Sequence, residues 1–139
     1  MSIMPETFSD ILIDAIIRDN KRLVEQRGAP FCVVKDRLDD VFSNVNSYND
    51  IQNKRERIIR KASHILGGIT YRQPFCEGNR ETALTHTILF LRDNGFDLPL
   101  DTQEDKQEIF DLLDRTIFKD ELDQTIITEV EQYLTRKVT

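Results

Sequence analysis

Residues 73–84 read QPFCEGNRETAL, a polar stretch that separates two of the most regular helical patterns in the chain. A proline and a glycine interrupt the spacing of apolar residues, which predicts a tight loop over residues 73–79. Before the loop, apolar residues at helical spacing predict a helix over about residues 53–70. After it, the same spacing predicts a helix from about Arg80 to the Asn-Gly pair at 94–95. This part of the chain is therefore predicted to be a helix, a tight loop and a second helix.

Helical periodicity also dominates the rest of the chain, which has no internal repeat and no long linker. An amphipathic pattern over residues 8–23, with capping-box spacing between Thr7 and Asp10, predicts the first helix, and Gly-Ala-Pro at 28–30 ends it. Further helices are predicted over about residues 36–42, 104–118 and 121–137, with an extended run at residues 31–34. The sequence therefore predicts an all-α bundle of about six helices in a single domain, residues 1–139.

The composition is that of a folded chain, because 39% of the 139 residues are apolar and 32% are charged. The longest stretches without charge, residues 62–71 and 82–91, are ten residues each, about half the length of a membrane-spanning helix. The N-terminal part carries acidic residues and no basic residue before Arg18, which is atypical of a secretory signal. We therefore expect a cytoplasmic protein that does not enter a membrane.

Few side chains are available for metal or nucleophilic chemistry. The only cysteines, Cys32 and Cys76, are 44 residues apart, so the sequence offers no zinc knuckle and predicts unpaired thiols, buried or idle. The only histidines are His64 and His86, and the helical rise places them about 13 and 10 Å from the loop, too far to act there. We expect both histidines to lie in the core or on the surface. These counts exclude most zinc sites and histidine-based triads.

Charge is distributed unevenly along the chain. Residues 1–100 carry 14 acidic and 14 basic side chains, so the net charge of -6 arises in residues 101–139. An acidic total argues against nucleic-acid binding. The exception is a basic run at residues 54–61, for which two interpretations stay open: a solvated helix face, or a patch that binds an anion or an acidic partner.

The loop at residues 73–79 opens onto the N-terminus of the next helix. Unpaired backbone N–H groups and the positive end of the helix dipole favour an anion at such a place. Gly78 would let the backbone approach the anion, and Asn79 can cap the helix or donate to a phosphate oxygen. Glu77 is a candidate magnesium ligand, and Arg80 adds a cation. An ordinary capped helix start would use the same residues, so a purely structural role also stays open.

The loop and its flanks resemble the signature of the Fic/Doc (Fido) superfamily, H-x-F-x-[DE]-[AG]-N-[GK]-R. The continuation into TAL at 82–84, LFL at 89–91 and NGF at 94–96 is most similar to the death-on-curing (Doc) branch, a group of toxins. Similar stretches before the motif are GAP at 28–30 and KDRLDDVF at 35–42. The total length and the order of helices are similar too, so the resemblance covers most of the chain.

The resemblance implies a helical Fido fold with a short β-hairpin flap that pairs with a target segment. Residues 43–50 are the candidate flap, and an ordinary polar surface loop is the alternative for them. The resemblance also implies that Phe75 packs the motif, that Glu77 holds the Mg²⁺ of Mg-ATP, and that Gly78 and Asn79 form an anion hole. It further implies transfer of a phosphoryl or adenylyl (AMP) group from ATP to a hydroxyl of a target protein, and it leaves room for an antitoxin partner.

Two motif positions depart from the family pattern. Gln73 stands where the family has a histidine as general base, and a glutamine takes up no proton near neutral pH. In the Doc register, Glu81 stands at the position of the phosphate-binding arginine. In a register one residue shorter, Arg80 would be that arginine. The motif is therefore degenerate, and both registers stay open.

Two functional hypotheses follow from this degenerate motif. The first is a Doc-like transferase that Gln73 and Glu81 impair, and it predicts measurable ATP affinity. The second is a catalytically inactive Fido fold that acts as a protein-binding or regulatory module, and it predicts none. A DNA-binding regulator would rest only on the basic run at residues 54–61 and is the weakest of the three.

Overall fold

The computed structural model describes residues 6–117 and 124–139, and these contain six α-helices. In chain order they are α1 (Asp10–Gln26), α2 (Lys35–Asn46), α3 (Lys54–Arg72), α4 (Asn79–Asp93), α5 (Gln103–Ile117) and α6 (Gln124–Lys137). The only β-structure in the described ranges is an isolated bridge between Val33 and Phe75. The prediction of an all-α bundle of about six helices is confirmed. None of the helices in these ranges is long and apolar enough to cross a membrane.

Helix α3 packs against four other helices: α2, α4, α5 and α6. Twelve of its 19 residues are buried. Two adjacent glycines allow close packing on two sides. A Cβ on Gly67 would lie 3.3 Å from Val130 of α6, and a Cβ on Gly68 would lie 3.1 Å from Val41 of α2. A helix covered on so many sides needs apolar residues nearly all round, which explains why its second half carries so little charge.

The first helix begins later than the sequence predicts. Ser9, not Thr7, is the N-cap of α1, and its Oγ accepts a hydrogen bond from the Leu12 N–H at 3.4 Å. Asp10 is therefore the first helical residue and cannot close a capping box with Thr7, which instead donates to Asn49 Oδ1 at 3.3 Å. Helix α1 packs against α4, and this contact brings it to the loop that follows α3.

The β-hairpin flap that the resemblance implied for residues 43–50 does not form, and the alternative of an ordinary surface loop holds only for residues 47–50. Helix α2 continues to Asn46, and residues 47–50 are turns. The Asn46 side chain is tied to the backbone of Phe8, with its Oδ1 accepting at 2.8 Å and its Nδ2 donating at 3.0 Å. This segment leads into the N-terminus of α3, whereas the loop at residues 73–78 follows the C-terminus of that helix. A helix of 19 residues is about 28 Å long, so the segment cannot flank the loop.

The basic run at residues 54–61 is neither a freely solvated face nor an open anion patch. Lys61 is fully buried, and its Nζ donates to the Glu6 carbonyl oxygen at 2.7 Å and to Asn49 Oδ1 at 2.5 Å. Burial lowers the pKa of Lys61 below its usual value. The arginines of the run contact other parts of the chain: Arg55 donates to the Thr135 and Val138 carbonyls, Arg57 pairs with Glu6, and Arg60 pairs with Glu131. The run therefore holds the bundle together internally.

Helices α5 and α6 follow the predicted order. The predicted helix end at residue 118 and helix start at residue 121 lie outside the described residues. Part of the acidic surplus is paired between the two helices, because Glu108 of α5 lies 2.6 Å from Arg136 and 3.2 Å from Lys137 of α6. These hydrogen bonds lower the pKa of the Glu108 carboxyl.

Candidate functional site

The loop between α3 and α4 is shaped by two residues in the left-handed backbone region. Gln73 ends α3 with φ 51°, and Gly78 precedes α4 with φ 74°. Glycine adopts this conformation without steric cost, whereas a side chain disfavours it. Helix α4 begins at Asn79, one residue before the predicted start. Gly78 is thus the N-cap residue and offers no side-chain cap, which leaves the first amides of α4 open.

Asn79 holds the loop in shape rather than projecting from it. Its buried side chain accepts a hydrogen bond from the Phe75 N–H at 2.9 Å and donates to the Phe75 carbonyl at 2.8 Å. Its Nδ2 also donates to Gln73 Oε1 at 3.1 Å. The amide therefore spans the loop from end to end, and the predicted contact of this side chain with a phosphate oxygen would need one of these bonds to break.

Gln73 is the other half of the same network. Its Nε2 donates to the Thr70 carbonyl at 2.6 Å, while its Oε1 accepts from Asn79. Both polar ends of the side chain are therefore engaged inside the protein. At the position where the family has its general base, this chain has an amide that secures the loop and has no basic atom to accept a proton.

Replacing Asn79 with alanine is expected to lower the free energy of unfolding by about 2 kcal/mol. The change removes three hydrogen bonds and leaves the buried Phe75 N–H without a partner, which is the more costly part. Denaturant unfolding of both proteins measures the difference. Asn44→Ala is the matched control, because Asn44 is exposed on α2 and should change stability by less than about 0.5 kcal/mol. Equal losses of unfolding free energy in the two variants would contradict the role of the Asn79 side chain in holding the loop.

Asn20 of α1 supports the loop from the other side, and the sequence analysis missed it. Its Nδ2 donates to the Glu77 carbonyl at 2.9 Å and to Thr82 Oγ1 at 3.0 Å. Helix α1 also lies so close that a Cβ on Gly78 would be 3.2 Å from Asn20 Nδ2, Leu23 Cδ2 and Val24 Cγ1. The available signal was an asparagine among the apolar positions of the first helix, where a buried polar side chain needs a partner.

The loop offers free backbone donors beside an exposed carboxylate. In the described part of the chain, no group accepts a hydrogen bond from the N–H of Glu77 or of Gly78. The Glu77 side chain itself is exposed. No cluster of three metal-binding side chains occurs in residues 6–117 or 124–139. The exposed Glu77 carboxylate remains the predicted Mg²⁺ ligand, since this ion commonly takes one protein carboxylate together with phosphate oxygens and water. Neither the open amides nor the carboxylate conflicts with the predicted Mg-ATP site.

The two residues that follow Asn79 are both paired with other parts of the fold. Arg80 forms an ion pair with Asp114 of α5, and its guanidinium lies 5.1 Å from the ring centroid of Phe110. Glu81 Oε1 lies 3.4 Å from Arg27 Nη1, just past the end of α1. Neither side chain is free to meet a phosphate without giving up a partner. Because Arg80 and Glu81 are both paired, these contacts do not decide which register is correct. Both residues stay predicted phosphate positions.

A cleft of about 390 Å³ beside Gln73 carries cations that the sequence analysis did not assign to the site. Arg37 and Arg72 line it with Tyr71 and Ile117. Arg37 Nη1 donates to the Gln73 carbonyl at 3.3 Å, so α2 contributes a guanidinium at the start of the loop. The signal in the sequence was the basic residue inside the stretch at 35–42, which the resemblance had singled out without assigning a role.

Neither histidine is positioned to replace the missing base. His64 is buried inside α3, where burial, assisted by Arg60, lowers its pKa to about 4. His86 is buried between α4 and α1, with its Nε2 3.0 Å from Asp19 Oδ2. Burial lowers the pKa of His86, and the Asp19 carboxylate opposes that effect. Both histidines are thus core residues, one of the two locations expected for them.

The cysteines, expected to be unpaired, form a disulfide at the loop. Cys32 and Cys76 are bonded, with their Cα atoms 5.2 Å apart, inside the usual range for disulfides. The extended run at residues 31–34 lies alongside the loop: the Val34 N–H donates to the Pro74 carbonyl at 2.7 Å, and the Cys76 N–H donates to the Cys32 carbonyl at 3.2 Å. The prediction of idle thiols is wrong because 44 residues of sequence separation say nothing about distance in the fold.

The structure thus defines a class: an all-helical bundle in which a helix–loop–helix presents free backbone amides next to an acidic side chain. The chain belongs to the Fic/DOC family, whose model matches residues 3–91, more than half of its length. The match covers the whole of α1 to α3, the loop and most of α4, and it ends before α5. Neither the curated proteins nor the solved structures contain a significant match to the chain.

Proposed function

We propose that this protein is a Doc-like family member that binds the phosphates of Mg-ATP on the motif loop and is strongly impaired in group transfer. The observation that carries the proposal is the state of Gln73, whose side chain is bonded at both ends to Thr70 and Asn79. The loop that would hold phosphate is intact, and the group that would take up the proton is missing.

Binding rests on the backbone and on one carboxylate. The N–H groups of Glu77 and Gly78 would donate hydrogen bonds to phosphate oxygens, and the positive end of the α4 dipole would favour the negative charge of the phosphates. The Glu77 carboxylate would hold the magnesium ion. The nucleotide supplies the phosphoryl or adenylyl group, and the acceptor is a hydroxyl of a target protein, as the Doc resemblance implies.

Transfer is expected to be slow for two reasons. A general base contributes about 10²- to 10⁴-fold to such a reaction, and this site has none. The charge at the start of α4 is also unfavourable, because Glu81 is a carboxylate where the Doc register has an arginine. Its ion pair with Arg27 offsets part of the repulsion. Arg37 is the cation that we assign to the phosphates instead, because it reaches the Gln73 carbonyl.

The proposed setting is the cytoplasm, in a toxin–antitoxin pair with a protein target. The internal contacts of the basic run at residues 54–61 support the view that nucleic acid is not the partner, because they occupy the cations that would meet phosphates.

A second candidate is an inactive Fido fold that acts only by binding proteins. One observation favours it: Arg80 is held by Asp114 and Phe110, so the motif brings no free cation to the loop. The two candidates differ in nucleotide affinity, which can be measured directly.

Calorimetric titration is expected to show Mg-ATP binding to the wild type with a dissociation constant of about 1 mM. Glu77→Gln should weaken binding at least about fivefold with Mg²⁺ present and leave the affinity for ATP without Mg²⁺ nearly unchanged, because only the metal contact is lost. Glu104→Gln, on the exposed surface of α5, is the matched control and should behave as wild type. No binding by the wild type would reject this proposal in favour of the second candidate.

Restoring the family residues tests the catalytic half of the proposal. Gln73→His combined with Glu81→Arg should raise release of phosphate or AMP from ATP about 10²-fold. Glu81→Arg alone would face Arg27 with a like charge, so the combination should also be made with Arg27→Gln. A wild-type rate equal to that of the restored variants would show that Gln73 and Glu81 do not limit transfer.

A further inference from the structure

The Cys32–Cys76 disulfide joins two segments that share few direct hydrogen bonds. The loop and the extended run share one isolated bridge, between Val33 and Phe75, and the two flanking hydrogen bonds from Val34 and Cys76. A ribbon this short is not stable by itself. The covalent bond is therefore the strongest direct link between the loop and the 31–34 segment, beside the packing of Phe31, Val33 and Phe75 on the shared core.

The opposite side of the loop is held differently. Asn20, Gln73 and Asn79 fix it with side-chain hydrogen bonds that do not depend on the cysteines. The helices on either side are anchored in the core that all six helices share. Loss of the disulfide should therefore free the contact between the loop and the 31–34 segment without unfolding the bundle.

The bond is open to attack from solvent. Cys76 is exposed and Cys32 is half-buried. A thiolate can reach a disulfide sulfur only where there is such access, and exposed disulfides are the ones that exchange readily. The sequence also predicts a cytoplasmic chain, and disulfides in that compartment are usually transient and redox-sensing.

We propose that Cys32–Cys76 is a thiol–disulfide exchange site through which a dithiol reductant controls the mobility of the motif loop. In the reaction, a thiolate of the reductant attacks Cys76 Sγ, the S–S bond breaks, and Cys32 leaves as a thiolate that takes up a proton. The second thiol of the reductant then attacks the mixed disulfide and releases Cys76 as a thiol. Two electrons and two protons pass to the protein, and the reductant becomes a disulfide.

The consequence for phosphate binding rests on the proposed function. Cys76 lies directly before Glu77 and Gly78, whose amides form the phosphate cradle. Oxidised protein holds the Glu77 amide, in the peptide that follows Cys76, in place, and reduced protein lets it move. The Gly78 amide shares its peptide with the Glu77 carbonyl, which Asn20 holds in both states. Reduction should therefore weaken Mg-ATP binding severalfold, whereas release of the loop itself requires no nucleotide.

The test compares the full chain in oxidised form and after treatment with dithiothreitol. Hydrogen exchange of the Val34 and Cys76 amides should accelerate about tenfold or more on reduction, because these amides donate the bonds that the disulfide protects. Exchange at Leu113 and Leu134, in the cores of α5 and α6, should accelerate only as far as the loss of global stability requires, with no local opening of these helices. The midpoint of thermal unfolding should fall by about 10 °C, since a long closed loop is no longer cross-linked.

Serine variants provide the control. Cys32→Ser with Cys76→Ser should reproduce the reduced exchange pattern without reductant and should not respond to dithiothreitol. Single serine variants give a second comparison should the double variant fold poorly, and reduced wild type gives a third. Maleimide labelling should find no free thiol in the oxidised chain and two in the reduced chain.

Four other outcomes overturn the inference. Two free thiols before reduction would mean that the bond does not form. Unchanged exchange at Val34 and Cys76 would mean that the bond does not restrain the loop. Loss of helical circular dichroism on reduction, or a bond that excess dithiothreitol leaves intact, would mark a structural disulfide. Failure to bind Mg-ATP in either state would reject the proposed function and leave these exchange results unaffected.

Discussion

Gly78→Ala is expected to lower the free energy of unfolding by about 3 kcal/mol. The residue has φ 74°, a conformation that costs an L-residue about 1–2 kcal/mol. The new Cβ would also meet Asn20, Leu23 and Val24 of α1 at 3.2 Å, closer than packed atoms normally approach. Forcing α1 away from the loop adds about 1–2 kcal/mol. Denaturant unfolding measures the total.

Gly28→Ala is the matched control for this change. Gly28 has nearly the same φ, 70°, and an added Cβ would meet nothing within 4 Å. The control should therefore cost only the backbone component, about 1–2 kcal/mol. The difference between the two variants isolates the approach of α1 to the loop. Equal losses would show that α1 does not press on Gly78.

Acid is expected to destabilise the wild type by about 2–3 kcal/mol through His64 alone. Burial lowers the pKa of His64 to about 4, whereas an unfolded histidine has a pKa of about 6.5. Between these two values the unfolded chain binds a proton that the native chain does not, so stability falls as the pH falls. The contribution is fully present above about pH 6.5 and is lost by about pH 4.

The variant His64→Phe separates this effect from other titrations. Phenylalanine keeps a ring next to Tyr48, whose centroid lies 4.8 Å from that of His64. Arg60 and Glu131 are the charged groups that act on His64, and both stay in the variant. Between pH 7.5 and pH 4, the wild type should therefore lose about 2–3 kcal/mol more unfolding free energy than the variant. Parallel curves would contradict a neutral buried His64.

The helices and the position of the loop were predictable from the sequence. Apolar spacing is a local property, and α3 and α4 carry it on both sides of a proline and a glycine. The same local logic identified Gly78 as a break between two helices, whereas its positive φ is known only from the structure. The loop chemistry came from the motif, whose residues are contiguous in the chain.

Contacts between distant parts of the chain were not predictable. Nothing local distinguishes Asn79 as a helix cap from Asn79 as a clamp on Phe75. The disulfide and the partners of Arg80 and Glu81 depend on how α1, α2 and α5 pack around the loop. The family resemblance implied a flap at residues 43–50 and their polar composition an ordinary loop, but the bundle uses Asn46 and Asn49 to hold the N-terminal segment.

The adjacent glycines of α3 have a mechanical consequence for the motif loop. Gly67 and Gly68 bring the backbone of this helix against α6 on one side and α2 on another. A sideways shift that relieved one contact would tighten or open the other, so the helix has one permitted lateral position. The close contacts of the α3 backbone with α2 and α6 thereby fix the position of the helix end, at Gln73. A methyl group added at Gly67 or Gly68 would press on Val130 or Val41, so either alanine variant should shift the end of α3 that carries the loop.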